Sequence, residues 1–269
     1  MTSPSFRLVA GAALTVIGLA GVRAANAQSL ERRITGGGNG AVEFRFASRP
    51  GVCGDGATFV DDGFGDGSRI FEGGNFSGRT HRFEGPPCEP GPVRVVAWVD
   101  DGEVVSLRTY AGPIRSGNAR TNRDLGDVPV SEAVAFLTRL AERGNGRVSE
   151  KAILPLVLAD SVAPWPTLVR MARNDDVGRA VRRTAAFWLS RGASAKLGIL
   201  DRDTSDDDDV RASAVFALSQ QPRSQATPEL LDIARTSKRP AVRAQALFWL
   251  GQWGDPRAID LFEEILQVR

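Results

Sequence analysis

The sequence predicts an α+β chain in two parts: a small disulfide-pinned antiparallel β domain, then an α-solenoid of stacked helical pairs. Three observations carry this expectation. One short phrase occurs three times, as "VRRTAAFWLSRG" from Val181, "VRASAVFALSQQP" from Val210 and "VRAQALFWLGQWGDP" from Val242. Residues 41–111 hold segments that alternate apolar and polar side chains. The two cysteines, Cys53 and Cys88, both fall within that alternating half.

The first 27 residues read as a leader rather than as part of the fold. Arg7 precedes an apolar run from Leu8 to Val22, and Ala25-Asn26-Ala27 supplies the small-x-small pattern of a secretory cleavage site. The run is 15 residues long, short of the ~20 that cross a bilayer as a helix. Export with cleavage after Ala27 is therefore expected, to the periplasm or the extracellular medium. Retention as an anchor is the minor alternative, and no later segment is apolar enough to span a membrane.

Charge narrows the partners. The chain has 34 basic and 32 acidic side chains, and the leader's charged residues are Arg7 and Arg23. The mature chain is thus balanced, and the basic isoelectric point is partly a property of the leader. No nucleic-acid partner is expected.

Residues 28–40, "SLERRITGGGNG" with its preceding Gln28, read as a flexible lead-in, because glycine and polar residues dominate. From residue 41 the pattern tightens. Val42, Phe44 and Phe46 alternate with Glu43 and Arg45, the period-2 signature of a half-buried strand. "VRVVAWV" and "VVSLRTY" flank "DDGE", where Asp101-Gly102 tolerates the positive φ of a hairpin bend. "ATFV", "SRIFE" and "THRFE" are shorter strand candidates. Export places Cys53 and Cys88 in an oxidising compartment, where their single possible pairing contributes ~3–4 kcal/mol by loop-closure entropy. A metal pair would want more ligands than His81, the one histidine.

Residues 112–128, "GPIRSGNARTNRDLGDV", turn polar and glycine-rich and read as a linker. Residues 129–269 then adopt a helical period. "VSEAVAFLTRLAER" places Val134, Leu137, Leu140 and Ala141 on one face, with Ser131 as an expected N-cap. "SEKAILPLVLAD" and "WPTLVRMARND" follow.

On a 3.6-residue period the three phrases superpose. Val181, Val210 and Val242 open an apolar stripe, Ala185, Ala214 and Ala246 continue it, and Leu189, Leu218 and Leu250 extend it. The intervening Phe187-Trp188, Val215-Phe216 and Phe248-Trp249 are apolar too. A helix apolar over most of its circumference must be covered on several sides. Second helices, "AKLGILDRD", "TPELLDIARTS" and "RAIDLFEEIL", lie between the phrases. Each pair would be covered by the next, and the last, with Glu263 and Glu264, reads as a C-terminal cap.

The texture of "DDDVRASAVFALSQQP" and "RPAVRAQALFWLGQWGDPRAIDLFEEIL" resembles HEAT repeats, in particular the short HEAT-like units of bilin lyases. The resemblance is strong over 176–269, extends in degenerate form back to 129, and leaves the β domain outside. It implies a HEAT-repeat α-solenoid and, by analogy of fold, protein binding on a concave face, while saying little about activity; no cofactor is expected.

The candidate site residues each admit a binding and a structural role. Arg182, Arg211 and Arg243 recur in register. They could face an acidic partner, or form the internal ladder that the resemblance implies, with Asp209 as one acceptor. Trp188 and Trp249 could line a groove or fill the core. The acidic run 206–209 fits the start of a helix better than a calcium site. The stretch 61–72, "DDGFGDGSRIFE", departs from an EF-hand loop at its third, fifth and sixth positions.

With one histidine and no His-Glu pair, no catalytic constellation is visible. The sequence-level expectation is an exported, non-catalytic scaffold that holds a protein or peptide on its concave face. Two alternatives are a cofactor-handling enzyme of bilin-lyase type and a calcium- or glycan-binding module in the β domain.

Overall fold

A computed structural model describes residues 30–57, 59–60, 89–114, 121–144, 146–197 and 214–268. A β-sheet region comes first and a helical region follows. "SRIFE", "THRFE", the stretch 61–72, His81, the acidic run 206–209, Val210 and Arg211 lie outside the described residues.

The expected flexible lead-in is instead ordered. Residues 30–35 form a helix, α1, whose Leu30 and Ile34 are one turn apart and fully buried. Burying both side chains stabilises by roughly 1.5–3 kcal/mol each. Arg123 closes the far end of α1 by donating to the carbonyls of Arg33 (2.9 Å) and Ile34, while Glu31 pairs with Arg139 at 2.9 Å. Glycines do crowd the sequence here, but they follow the helix. The two apolar residues decide the outcome.

Strands β1 (Gly40–Phe46), β3 (Phe59–Val60), β5 (Val93–Asp100), β6 (Glu103–Ala111) and β7 (Arg123–Asp127) form one sheet in the order β3-β6-β5-β1-β7. A two-stranded sheet joins β2 (Cys53–Gly54) to β4 (Glu89–Pro90). The expected hairpin is present. β5 and β6 pair antiparallel, and Asp101 and Gly102 turn with φ of 47° and 77°. Asn39 braces this turn through its side-chain contacts with the Asp101 N–H and the Asp100 carboxylate.

The stretch expected as a linker contains β7, which pairs in parallel with β1. The Val128 N–H donates to the Arg45 carbonyl, and the Arg45 guanidinium meets Asp124 at 3.0 Å and Asp127 at 3.4 Å. Two acidic residues beside one arginine on a neighbouring strand thus convert a polar segment into a sheet edge.

The sheet's inner face carries Val42, Phe44, Phe46, Val93, Val95, Ala97 and Leu107 into the core. Helix α2 (Val130–Arg143) packs there, and Phe136 meets the Phe44 ring edge-on at 5.9 Å. Its N-cap position is Pro129 and not Ser131, because the restricted φ of proline already suits the entry and no side chain caps it. Helix α3 (Arg147–Lys151) and the wholly buried α4 (Ile153–Leu158) follow. Arg49 N–H donates to the Leu158 carbonyl, and Asp160 N–H to that of Ala47. One continuous apolar core therefore runs from Leu30 through the sheet to Phe262, so the expected boundary at 112–128 does not separate two cores.

The remaining helices are α5 (Trp165–Arg173), α6 (Arg179–Lys196), α7 (residues 214–219), α8 (Arg223–Thr236), α9 (Pro240–Trp253) and α10 (Pro256–Leu266). Their packing departs from a strictly sequential stack. The third phrase helix, α9, packs directly on the first, α6, and also on α8, while α10 lies against α5 and α6. Phe187 of α6 and Phe248 of α9 meet edge-on across the α6–α9 crossing, and α7 carries Ala217 where the other two phrase helices carry Trp188 and Trp249. Arg173 of α5 clasps Asp260 (2.6 Å) and Glu263 of α10, which holds the third pair against the first. Among the described residues no helix is long and apolar enough to cross a membrane.

Candidate interaction surface

The three phrases give each helix the same row of side chains, but the structure covers the rows unequally. On α6, Val181, Ala185 and Leu189 are buried, and on α9, Ala246 and Leu250 are buried with Val242 partly so. On α7, Ala214 is exposed, Leu218 half-buried and Val215 buried. Phe216, the counterpart of Phe187 and Phe248, is 49% exposed.

An aromatic row crosses these helices. Trp188 meets Phe187 at 5.4 Å, Phe187 meets Phe248 at 6.5 Å, Phe248 meets Trp249 at 5.2 Å, and Trp249 meets Phe216 at 5.6 Å. The row begins in the core, at Trp188, and ends at the surface, at Phe216. Trp249 lies between them, half-buried. Its indole N–H is shielded from solvent and finds no acceptor among the described residues.

A shallow cavity of about 450 Å³ opens between α7, α8 and α9. Ala214, Val215 and Leu218 of α7, Ile233 of α8 and Val242 of α9 give it an apolar floor, while Glu229 and Arg239 supply one charge of each sign. The cavity is large enough for side chains of a docked segment, and its apolar floor with sparse polar groups suits recognition by burial.

The arginines of the phrases face elsewhere. Arg182 pairs with Asp175 at the turn before its own helix, and Arg243 Nε donates to the Ala234 carbonyl at the end of α8, at 3.1 Å. Each guanidinium thus closes a helix connection within the chain. Arg211 is outside the described residues, so the structure brings two of the three sequence-level arginines into comparable roles.

Asp255 ties α8 to α10. It caps α10 by accepting from the Arg257 N–H at 3.0 Å, and it accepts from the fully buried Thr227 hydroxyl of α8 at 3.2 Å. The hydrogen bond from the Arg257 guanidinium, above all, holds its carboxyl below the usual carboxylate range, against the opposing effect of burial.

The sheet's outer face holds a second polar cluster. Glu43, expected to face solvent, is buried and accepts from Arg94 at 3.0 Å and Arg45 at 3.1 Å. Arg94 also donates to the Gly56 carbonyl and lies 4.0 Å from the centre of the Tyr110 ring. Every charge here is answered by a partner, which makes the cluster a brace between strands. An arginine within the apolar "VRVVAWV", on the strand beside one that carries Glu43, was the signal in the sequence. Sequence reasoning did not join the two.

Cys53 is buried in β2 and is not a free thiol. Cys88 lies outside the described residues. Among the described residues no group of three or more His, Cys, Asp or Glu side chains could hold a metal ion.

These features define a chain with an amino-terminal β-sheet region and carboxy-terminal helical repeats, one of whose repeat helices keeps an open apolar edge. A family model described as HEAT repeats matches residues 198–269. No curated protein and no solved structure matches the chain.

Proposed function

We propose that this protein is an exported, non-catalytic scaffold whose HEAT-like repeats hold a protein partner. The observation that carries this reading is the unequal covering of the three phrase helices. The stripe buried on α6 and α9 stays partly open on α7, where Ala214 and Leu218 line a cavity of about 450 Å³, and Phe216 of the same helix is 49% exposed. Helical repeat proteins use surfaces of this kind for protein association, and aromatic side chains are common interface anchors.

The binding face is the part of the phrase-helix row that α9 leaves uncovered, and it stands in place of a long concave surface. Export is supported by the apolar run Leu8–Val22 and by Ala25-Asn26-Ala27. A Cys53–Cys88 disulfide is supported by the position of β4, which begins one residue after Cys88 and pairs with β2, the strand containing Cys53. Mass measurement of the mature protein before and after reduction and alkylation tests both. The expected result is a chain beginning at Gln28 with no alkylatable thiol until reduction.

Cross-linking in cells, followed by identification of the attached proteins, tests the scaffold reading. Wild-type protein is expected to yield discrete cross-linked species that Phe216→Glu loses at least tenfold. An unchanged pattern in the variant, or turnover of a substrate by the purified chain alone, sinks the reading.

A further inference from the structure

Helix α1 begins almost at the point where the leader is expected to end. Ala27 closes the small-x-small pattern, Gln28 and Ser29 follow, and Leu30 is fully buried. Two residues of chain reach at most about 7 Å even when extended. Little slack separates the scissile bond from the core.

Residues 30–35 are also tied down from several sides. Ile34 is as deeply buried as Leu30. Arg123 donates to the carbonyls of Arg33 and Ile34, and the Arg33 guanidinium donates to the Leu125 carbonyl of β7 at 3.2 Å. Glu31 pairs with Arg139 of α2 at 2.9 Å. All these polar partners lie on β7, at its first residue or on α2, far along the chain, so α1 seats only once those elements exist.

We propose that docking of α1 closes the leader's cleavage point, so that residues 1–27 are removed before α1 seats and not afterwards. The inference rests on the reading of those residues as a cleaved leader and adds the order in which cleavage and folding occur. A protease holds its substrate extended on both sides of the bond, and a native segment becomes a substrate only by opening locally. The third residue beyond Ala27 is Leu30. Binding it in extended form draws it out of the core and loosens the α1 contacts with it. The dependence of α1 on β7 and α2 leaves an interval in which the leader is still free.

The experiment uses the full-length precursor and a purified signal peptidase, with the order of addition varied. Precursor diluted from urea directly onto the peptidase is expected to be cut after Ala27, as read by intact mass. Precursor allowed to refold first is expected to be cut at least tenfold more slowly. Ile34→Ala, which loosens α1, raises the rate for the refolded form. A second variant carries a spacer of about six glycines and serines between Ser29 and Leu30, which frees the bond while leaving α1 seated. Refolded and with wild-type circular dichroism, it is expected to be cut as fast as the unfolded precursor. Wild-type protein cut at one rate in both orders, or a spacer variant as resistant as the wild type, overturns the proposal while the leader reading stands. If precursor straight from urea is not cut either, the leader reading fails and the proposal fails with it.

Discussion

Gly251 of α9 lies so close to Ser190 of α6 that a Cβ on the glycine would sit 2.3 Å from the serine Oγ and 2.5 Å from its Cβ. The first and third phrases differ here by one residue, Ser190 against Gly251, and that difference sets how near the two helices come. Adding a side chain must push them apart or displace the serine. Gly251→Ala is expected to destabilise the protein by about 1–3 kcal/mol, the usual cost of overpacking, and Gly251→Val by more. Urea unfolding checks this. A neutral Gly251→Val would show that α6 and α9 do not cross so closely.

Glu43 and Arg94 are both under a tenth exposed and 3.0 Å apart. Glu43→Gln strands the buried Arg94 charge and is expected to cost ~3–5 kcal/mol, whereas Arg94→Met leaves Glu43 paired with Arg45 at 3.1 Å and is expected to cost less. The double variant Glu43→Leu with Arg94→Met should recover much of that loss, because no buried charge then lacks its counterpart. Glu43→Gln and Arg94→Met costs that simply add in a double-mutant cycle would contradict the pairing.

Asp255 gives the carboxy-terminal helices a dependence on acid. Its folded pKa is depressed, chiefly by the Arg257 guanidinium. The unfolded chain therefore takes up a proton first, so the stabilisation is present above the unfolded value and fades as pH falls through the folded one. Asp255→Asn keeps a capping oxygen for α10 and is expected to flatten this part of the stability–pH profile, its stability near neutrality falling by what the wild type loses in acid. Asp255→Ala loses the cap as well and is expected to cost about 1 kcal/mol more than Asp255→Asn at all pH values. Thermal unfolding across the acid range measures both.

Ile34 is fully buried although it sits just before a run of glycines. Ile34→Ala is expected to destabilise by ~2–5 kcal/mol, as in other apolar cores. A change of a few tenths, read from denaturant midpoints, would mean that α1 is peripheral to folding.

Much of the fold was legible because local patterns were consistent with the final packing. The alternation through Val42, Phe44 and Phe46 gave β1 its inner face, and Asp101-Gly102 marked the hairpin bend. The helical phrases were visible for the same reason, since a stripe repeating with the helical period can be buried on one side only as a helix. Of the candidate site, Trp188 and Trp249 were legible in the sequence. That Phe216 is the exposed member of the row was not, because its sequence environment is nearly that of Phe187 and Phe248.

The sequence by itself determined the two kinds of secondary structure, their order, and the existence of three equivalent helices. Those follow from side-chain period and from turn residues, which act over a few positions. Only the tertiary structure decided that α9 covers α6 and leaves α7 open, that β7 completes the sheet, and that Glu43 is buried. These outcomes depend on competition between distant surfaces, and no local pattern records which surface will prevail.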